Sequence, residues 1–290
     1  MAENKGTVAV QTKLKTHRKK GWLIILPPAI FLVVFMLYPM LSMLKLSFTS
    51  ANTTGFTLAA YAKFFSSNIY FKVIVLTLKV SLVVTIFTLL LGYPVAYVMT
   101  KCSRRVSALI MIGVMIPFWT SLLVRTYSWM ILLQSNGLVN NILMKLHIIS
   151  EPIQLLNNTT GVYIGMTHIL LPYMILSLYP VMKGINVNTV DAARTLGASK
   201  FKAFFKVYFP LSIQGISAGC ILVFVMGIGY FITPSLLGGT DDAMISQLIQ
   251  VQVSKLLDWQ FASAISIILL IVSLVILYVS RKLMKVDKLW

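Results

Sequence analysis

Carboxylates are scarce in this chain: seven Asp and Glu stand against 25 Lys and Arg in 290 residues. So few acids leave no arrangement that resembles a site for bond breaking. No long apolar segment carries a central Asp or Glu, so the pattern of a proton- or sodium-coupled carrier is absent. Cysteine is scarcer still. Cys102 and Cys220 lie in a short loop and an apolar stretch, a spacing that suggests neither a metal site nor a disulfide framework. His17, His147 and His168 are far apart and form no HExxH pattern. There is no GxxxxGK[ST] phosphate loop, so the chain does not hydrolyse ATP by that route. Charge overall is low, 11% of residues where a soluble domain has about a quarter.

What the chain does have is apolar length. Hydrophobic residues make up 58% of it, and a bilayer is crossed by about 20 helical residues. The expected fold is therefore an all-α integral membrane protein of six transmembrane helices, at approximately 22–44, 73–99, 106–133, 161–182, 212–236 and 262–281. These bound a membrane domain, 22–281, between a basic tail at 1–21 and a short tail at 282–290. The first apolar stretch, Trp22 to Leu44, outruns a signal-peptide core and lacks a small-x-small cleavage pattern, so it is expected to be a retained span. Prolines 27, 28, 94, 117, 172 and 234 fall inside spans, which is tolerated where neighbouring helices satisfy the freed backbone groups.

The net charge of +18 raises the question of nucleic acid, but the basic residues sit between apolar runs and read as membrane orientation instead. They gather in the N-terminal tail, at Lys101, Arg104 and Arg105, at Lys183, Arg194, Lys200, Lys202 and Lys206, and at the C-terminal end. The positive-inside rule puts both termini and 183–211 in the cytoplasm. The opposite loops carry an aromatic cluster from Tyr61 to Phe71, the turn Asn136-Gly137, and Gly238-Gly239 followed by Asp241 and Asp242.

Among intramembrane polar groups, Arg125 lies in PFWTSLLVRTYSW with Trp119, Tyr127 and Trp129. It reads either as an arginine snorkelling to the interface or as a path-lining charge. Lys79 is a snorkelling residue and His168 a packed, hydrogen-bonded one. Gly161-x-x-x-Gly165 and Gly215-x-x-x-Gly219 permit close helix approach.

One polar island, Asp191 to Pro210, is organised enough to ask for a partner. Asn188 and Thr189 offer a helix start before Asp191, Gly197 can end that helix in the left-handed conformation, and Ser199 can cap a second helix. Phe201, Phe204, Phe205 and Tyr208 are spaced to share one face of it, and Pro210 stops it or starts the next.

The island resembles the EAA loop of ABC importer permeases: Asp191-Ala192-Ala193, three residues, Gly197, nine residues, then Val207-Tyr208-Phe209-Pro210. Asp replaces Glu, Val replaces Ile and Phe replaces Leu, each of the same chemical type. The resemblance implies the type I ABC importer permease fold with a cytoplasmic coupling helix, in which Asp191, Ala192, Ala193 and Gly197 occupy the motif and Arg194 and Leu196 are adjacent contacts. Over nearly the whole chain the sequence is similar to the spermidine/putrescine permeases, PotB and PotH type. LGYPVAYVMTK (Leu91 to Lys101), IPFWTSLLVRTYSWMILL (Ile116 to Leu133), DAARTLGASK and the late LGG with Asp241-Asp242 carry that similarity.

Such a permease implies a bacterial inner-membrane complex with a second permease, two ATPase subunits holding ATP and Mg, and an extracytoplasmic substrate-binding protein. The chain itself would bind no cofactor, metal or nucleic acid and would not be an enzyme. For a polycationic cargo Trp119, Tyr127 and Trp129 are candidate path residues, since aromatic faces hold ammonium groups without trapping them; Arg125 would repel it. Two alternatives stay open: a permease of the same kind for a phosphonate, opine or sugar derivative, and a self-sufficient ion-coupled carrier.

Overall fold

The computed structural model describes residues 26–49 and 55–283. The basic tail at 1–21, Trp22, Asn52 to Thr54 and the last residues, including Lys285 and Lys288, lie outside the described residues. Among the described residues all regular structure is helical. The helices are α1 (Leu26–Ser47), α2 (Ala59–Ser66), α3 (Asn68–Lys101), α4 (Arg104–Trp119), α5 (Leu122–Leu133) and α6 (Leu138–Lys145), then α7 (Thr159–Gly184), α8 (Val187–Thr195), α9 (Lys200–Ile228), α10 (Ile232–Leu237), α11 (Ile245–Ser254) and α12 (Trp259–Leu283). Among the described residues five helices are long and apolar enough to cross a membrane, and a sixth span follows if α4 and the bent segment after it count as one.

That third span differs from the straight helix expected at 106–133. It breaks after Trp119 and turns by 97°. Pro117 removes one backbone donor and Thr120 leaves the helical region, its N–H and hydroxyl both donating to the Pro117 carbonyl at 3.3 and 2.9 Å. The fifth span is also re-divided. Its helix begins at Lys200 and ends at Ile228, and 232–237 forms a separate short helix, α10.

The core is α3, α7 and α9, the three helices that pack most extensively on one another. On α7 the residues Val162, Met166, Leu170, Met174, Leu178 and Met182 recur every fourth position, and all are 0–1% exposed. This i±4 ridge is met by small residues on both neighbours. A Cβ on Gly92 of α3 would come within 3.1 Å of Met174, and one on Gly219 of α9 within 2.6 Å. A Cβ on Gly215 would press on Val181 at 3.0 Å and on the Leu178 backbone at 3.4 Å. Both glycine pairs are thus filled within the chain, for Gly165 sits against Leu237 and Thr233 of α10.

A second, smaller core joins α2, α11 and α12 through Phe64, Ile245, Phe261 and Ile265. The aromatic cluster seen in the sequence is divided by it: Phe64 is buried, Tyr70 stacks on it, and Phe65 and Phe71 are exposed. Lys63 pairs with Asp258 at 3.1 Å and lies 4.1 Å from the centroid of Phe261. Fully buried Asn140 fastens the long connection before α7, exchanging hydrogen bonds with the backbone of Ile153 at 3.0 Å and donating to the Gln134 carbonyl at 3.1 Å.

Two π-turns, Val33–Leu37 and Phe204–Tyr208, have one cause. Each ends two residues before a proline, Pro39 and Pro210, and the residue preceding the proline donates to the carbonyl five back. The wider turn accommodates the proline ring, which would clash with the carbonyl four residues back. Pro210 therefore neither stops nor starts a helix, and α9 runs through it.

The glycine contacts on α7 set a packing limit that can be measured. Gly215→Val should lower the unfolding midpoint of the detergent-purified chain by the equivalent of roughly 1–3 kcal/mol, the usual cost of overpacking. Gly113→Ala, where an added Cβ meets nothing within 4 Å, should leave the midpoint unchanged or slightly raised. Equal midpoints for Gly215→Val and the parent would remove the close approach from this account.

Candidate functional site

The polar island forms a short projecting arm between α7 and α9. Its helix, α8, starts earlier than the sequence suggests. Asn186, not Asn188 or Thr189, is the N-cap, its side chain accepting from the Asn188 N–H at 3.0 Å. Asp191 thus lies mid-helix, where it pairs with Arg194 one turn on at 3.5 Å, both side chains about half exposed. So exposed a pair adds little stability.

The helix ends at Gly197 in a complete Schellman turn. Gly197 has φ +90°, its N–H donates to Arg194 and the Ala198 N–H donates to Ala193, both at 3.0 Å. A Cβ there would meet nothing within 4 Å, so the requirement for glycine is one of backbone conformation and not of space. Ser199 then caps α9, accepting from the Lys202 N–H at 3.3 Å.

One side of the arm packs inward through Ile185 and Val190. The other presents Asp191, Ala192, Arg194 and Leu196, with Leu196 89% exposed. The four aromatics that follow do not share a face. Phe204 and Tyr208 turn inward, while Phe201 and Phe205 are exposed and lie 4.5 Å apart. Phe204 and Tyr208 lie one turn apart on the flank toward α3, and Phe201 and Phe205 one turn apart on the flank away from it.

Inward, Phe204 and Tyr208 meet two residues the sequence reading had not singled out, Tyr93 and Tyr97 of α3. Tyr97 stands edge-on to both, at 5.4 and 5.1 Å, and Lys101 lies 5.7 Å from the Tyr97 and Tyr208 ring centroids alike. The Tyr93 hydroxyl shares a hydrogen bond with Ser212 at 3.0 Å, and that of Tyr208 one with Thr100 at 3.3 Å. The i, i+4 spacing of Tyr93 and Tyr97 facing an aromatic-rich segment was the available signal.

A second feature is a largely apolar cleft of about 440 Å³ between α3, α5 and α7. Phe87 and Leu91 form one wall, Trp129 another, and Tyr163, Thr167 and His168 the third. Trp129 donates its indole N–H to His168 Nδ1 at 3.2 Å, which fixes the imidazole as an acceptor at that nitrogen. The buried Thr167 hydroxyl has no protein partner. Of the four aromatic or basic candidates on this segment, Trp129 alone lines the cleft. Trp119, at the break, is 89% exposed, and Tyr127 is exposed on the surface of α5. Arg125 is half-buried within electrostatic reach of His168 and Tyr230, and its Nε is buried without a partner. His168 is packed and hydrogen-bonded, and also faces the cleft. Among the described residues no group of three His, Cys, Asp or Glu is placed to hold a metal ion.

Asp242 closes the opposite end of α7 from the arm. It accepts from the Gly239 N–H at 3.0 Å and from the Thr159 hydroxyl, and it lies within electrostatic reach of Tyr163. The Gly238-Gly239 pair is needed there, since Cβ atoms would strike the Pro234 and Asn157 carbonyls at 2.6 Å. Asp241 beside it is exposed.

Comparison with known proteins agrees with this layout. Residues 88–285 match the family described as "Binding-protein-dependent transport system inner membrane component". The chain is 36% identical over 247 residues to the spermidine/putrescine transport system permease protein PotB of Escherichia coli (strain K12), covering 83% of this chain and 90% of that protein. The PotB of Haemophilus influenzae (strain ATCC 51907 / DSM 11121 / KW20 / Rd) is 35% identical over 254 residues, covering 86% of this chain and 88% of that one. Among solved structures, a bacterial ABC transporter involved in the import of the acidic polysaccharide alginate superposes with a TM-score of 0.71, over 94% of this chain and 98% of its own, at 18% identity. The fold is that of ABC importer permeases.

The turn at Gly197 is testable without reference to activity. In Gly197→Val the amides of Gly197's position and Ala198 should exchange hydrogen faster, because a β-branched residue resists φ near +90°. Asn, which tolerates the left-handed region, should largely keep the protection. Equal exchange in the Val variant would show that the turn does not depend on that backbone conformation.

Proposed function

The chain belongs to the family of binding-protein-dependent transport system inner membrane components, and from that premise we propose that it is the permease subunit of an ATP-driven importer of polyamines such as spermidine and putrescine. The observation that carries the cargo is the 36% identity to PotB across 83% of the chain. The observation that carries the drive is the projecting arm at 187–197, which exposes Asp191, Ala192, Arg194 and Leu196 away from the helical core.

In this reading α8 is the coupling helix and docks in a groove of a cytoplasmic ATPase. A short rigid helix, capped at both ends, moves as a body, so closure of an ATPase dimer can displace the helices on either side of it. ATP and magnesium sit on the two ATPase copies, and this chain performs no hydrolysis. A second permease completes the path, and an extracytoplasmic binding protein delivers the solute. Both termini and the arm lie on the cytoplasmic side of the bacterial inner membrane, as the distribution of Lys and Arg supports.

The path itself runs by the cleft of Trp129, Tyr163, Thr167 and His168. Its aromatic faces attract ammonium groups, its apolar walls receive methylene segments, and no acidic side chain among the described residues lines it to trap a cation. Weak holding suits a path that must release its cargo. Asp242 places negative charge at the N-terminal end of α7, within electrostatic reach of Tyr163 in the cleft wall.

One feature favours a different cargo. Arg125, with a buried and unpartnered Nε beside the cleft, suits an anionic solute better than a polyamine. The test is reconstitution in proteoliposomes of the chain with its ATPase, second permease and binding protein, offering a panel of amines and anions. ATP-dependent uptake of spermidine or putrescine supports the proposal. Uptake of a phosphonate or opine in their place would transfer the assignment to the Arg125 reading. Gradient-driven uptake by this chain alone would overturn both.

A further inference from the structure

The coupling arm is covalently continuous with α7 and α9 alone, yet α3 is bolted to the first turns of α9 that follow it. Four observations converge on the bolt. Tyr97 of α3 sits edge-to-face with Phe204 and Tyr208 at 5.4 and 5.1 Å. Phe204 and Tyr208 stack on each other at 5.7 Å across the π-turn. Lys101, in the last turn of α3, lies 5.7 Å from the centroids of both tyrosine rings. Tyr208 is 5% exposed, and its hydroxyl bonds Thr100 at 3.3 Å.

We propose that Tyr97 and Tyr208, capped by Lys101, are positioning residues that transmit displacement of the coupling arm into α3. The inference rests on the reading of 187–197 as the coupling segment. Three physical points carry it. The π-turn is the one place in α9 where the regular i→i−4 ladder is interrupted, so it is the segment's softest point in torsion. A load applied at Gly197 would be lost there unless the turn were braced from the side. The brace is aromatic and cationic, which resists separation of rings while permitting small sliding, unlike a hydrogen-bond ladder that holds or breaks. And α3 supplies Phe87 and Leu91 to the wall of the cleft, about two to three turns from Tyr97 on the same helix. A displacement of Tyr97 therefore reaches the cleft along α3, which continues as one helix through Pro94.

The test uses the full complex of chain, second permease, ATPase and binding protein in proteoliposomes, measuring solute imported per ATP hydrolysed. Tyr208→Leu and Tyr97→Leu should lower that ratio about tenfold, with ATP hydrolysis kept within about twofold of the parent. Tyr208→Phe keeps the ring and gives up only the bond to Thr100, so it should restore the ratio. Lys101 is exposed, so Lys101→Gln leaves the packed core unaltered. It should lower the ratio about two- to fivefold, and that readout stands even if the leucine variants do not assemble. An unchanged ratio in Lys101→Gln, or import and hydrolysis falling in equal proportion in the tyrosine variants, would overturn the proposal. ATP-independent import by the parent complex would sink the coupling reading beneath it, which is a distinguishable result.

Discussion

Close approach to α7 is the constraint on which the remaining architecture depends. Its ridge of every fourth residue from Val162 to Met182 presents long side chains, and α3 and α9 answer with Gly92, Gly215 and Gly219. In a bilayer, water does not drive helices together, so association rests on packing contacts that only small residues make available. Fixing three helices at that distance has two effects. It puts Tyr93 and Tyr97 of α3 opposite Phe204 and Tyr208 of α9. It also leaves one flank of α7 uncovered by α9, where the cleft opens against α5.

The two functional regions use opposite kinds of order. The arm is held by its own backbone: an Asn186 cap at one end, a Schellman turn at the other, and few buried side chains between. It keeps its shape while exposing nearly all of its surface. The cleft is held by packing from three helices and contains a polar atom whose hydrogen-bonding capacity is unused, the Thr167 hydroxyl, with the Arg125 side chain near it. A rigid exposed element suits contact with another protein. A packed wall with spare donors suits a passing solute.

How much of this was legible in the sequence differs from element to element. The arm was, because Gly197 and Ser199 act locally: a left-handed glycine and an N-cap serine need no tertiary context. Its N-terminus was misplaced by a few residues because Asn186, Asn188 and Thr189 are all competent caps, and the end of α7 decides among them. The shared face of Phe201, Phe204, Phe205 and Tyr208 was not legible. The four span a broad arc, and only the position of α3 decides which flank of that arc is buried. The break of the third span was hidden too, since Pro117 occurs in a region as apolar as its straight neighbours. The cleft required three helices to be assembled, so Trp129 was found by its residue type and Thr167 not at all.

The break between α4 and α5 also says something about the surroundings of the protein. The N-terminal turn of α5 has no side-chain cap, so its first amide groups project without a helical partner. Hydrocarbon offers such groups nothing, and each would cost several kcal/mol if it faced acyl chains. The bend at Thr120 and Ser121 therefore belongs at a headgroup interface, at water or against another polypeptide, and not among acyl chains.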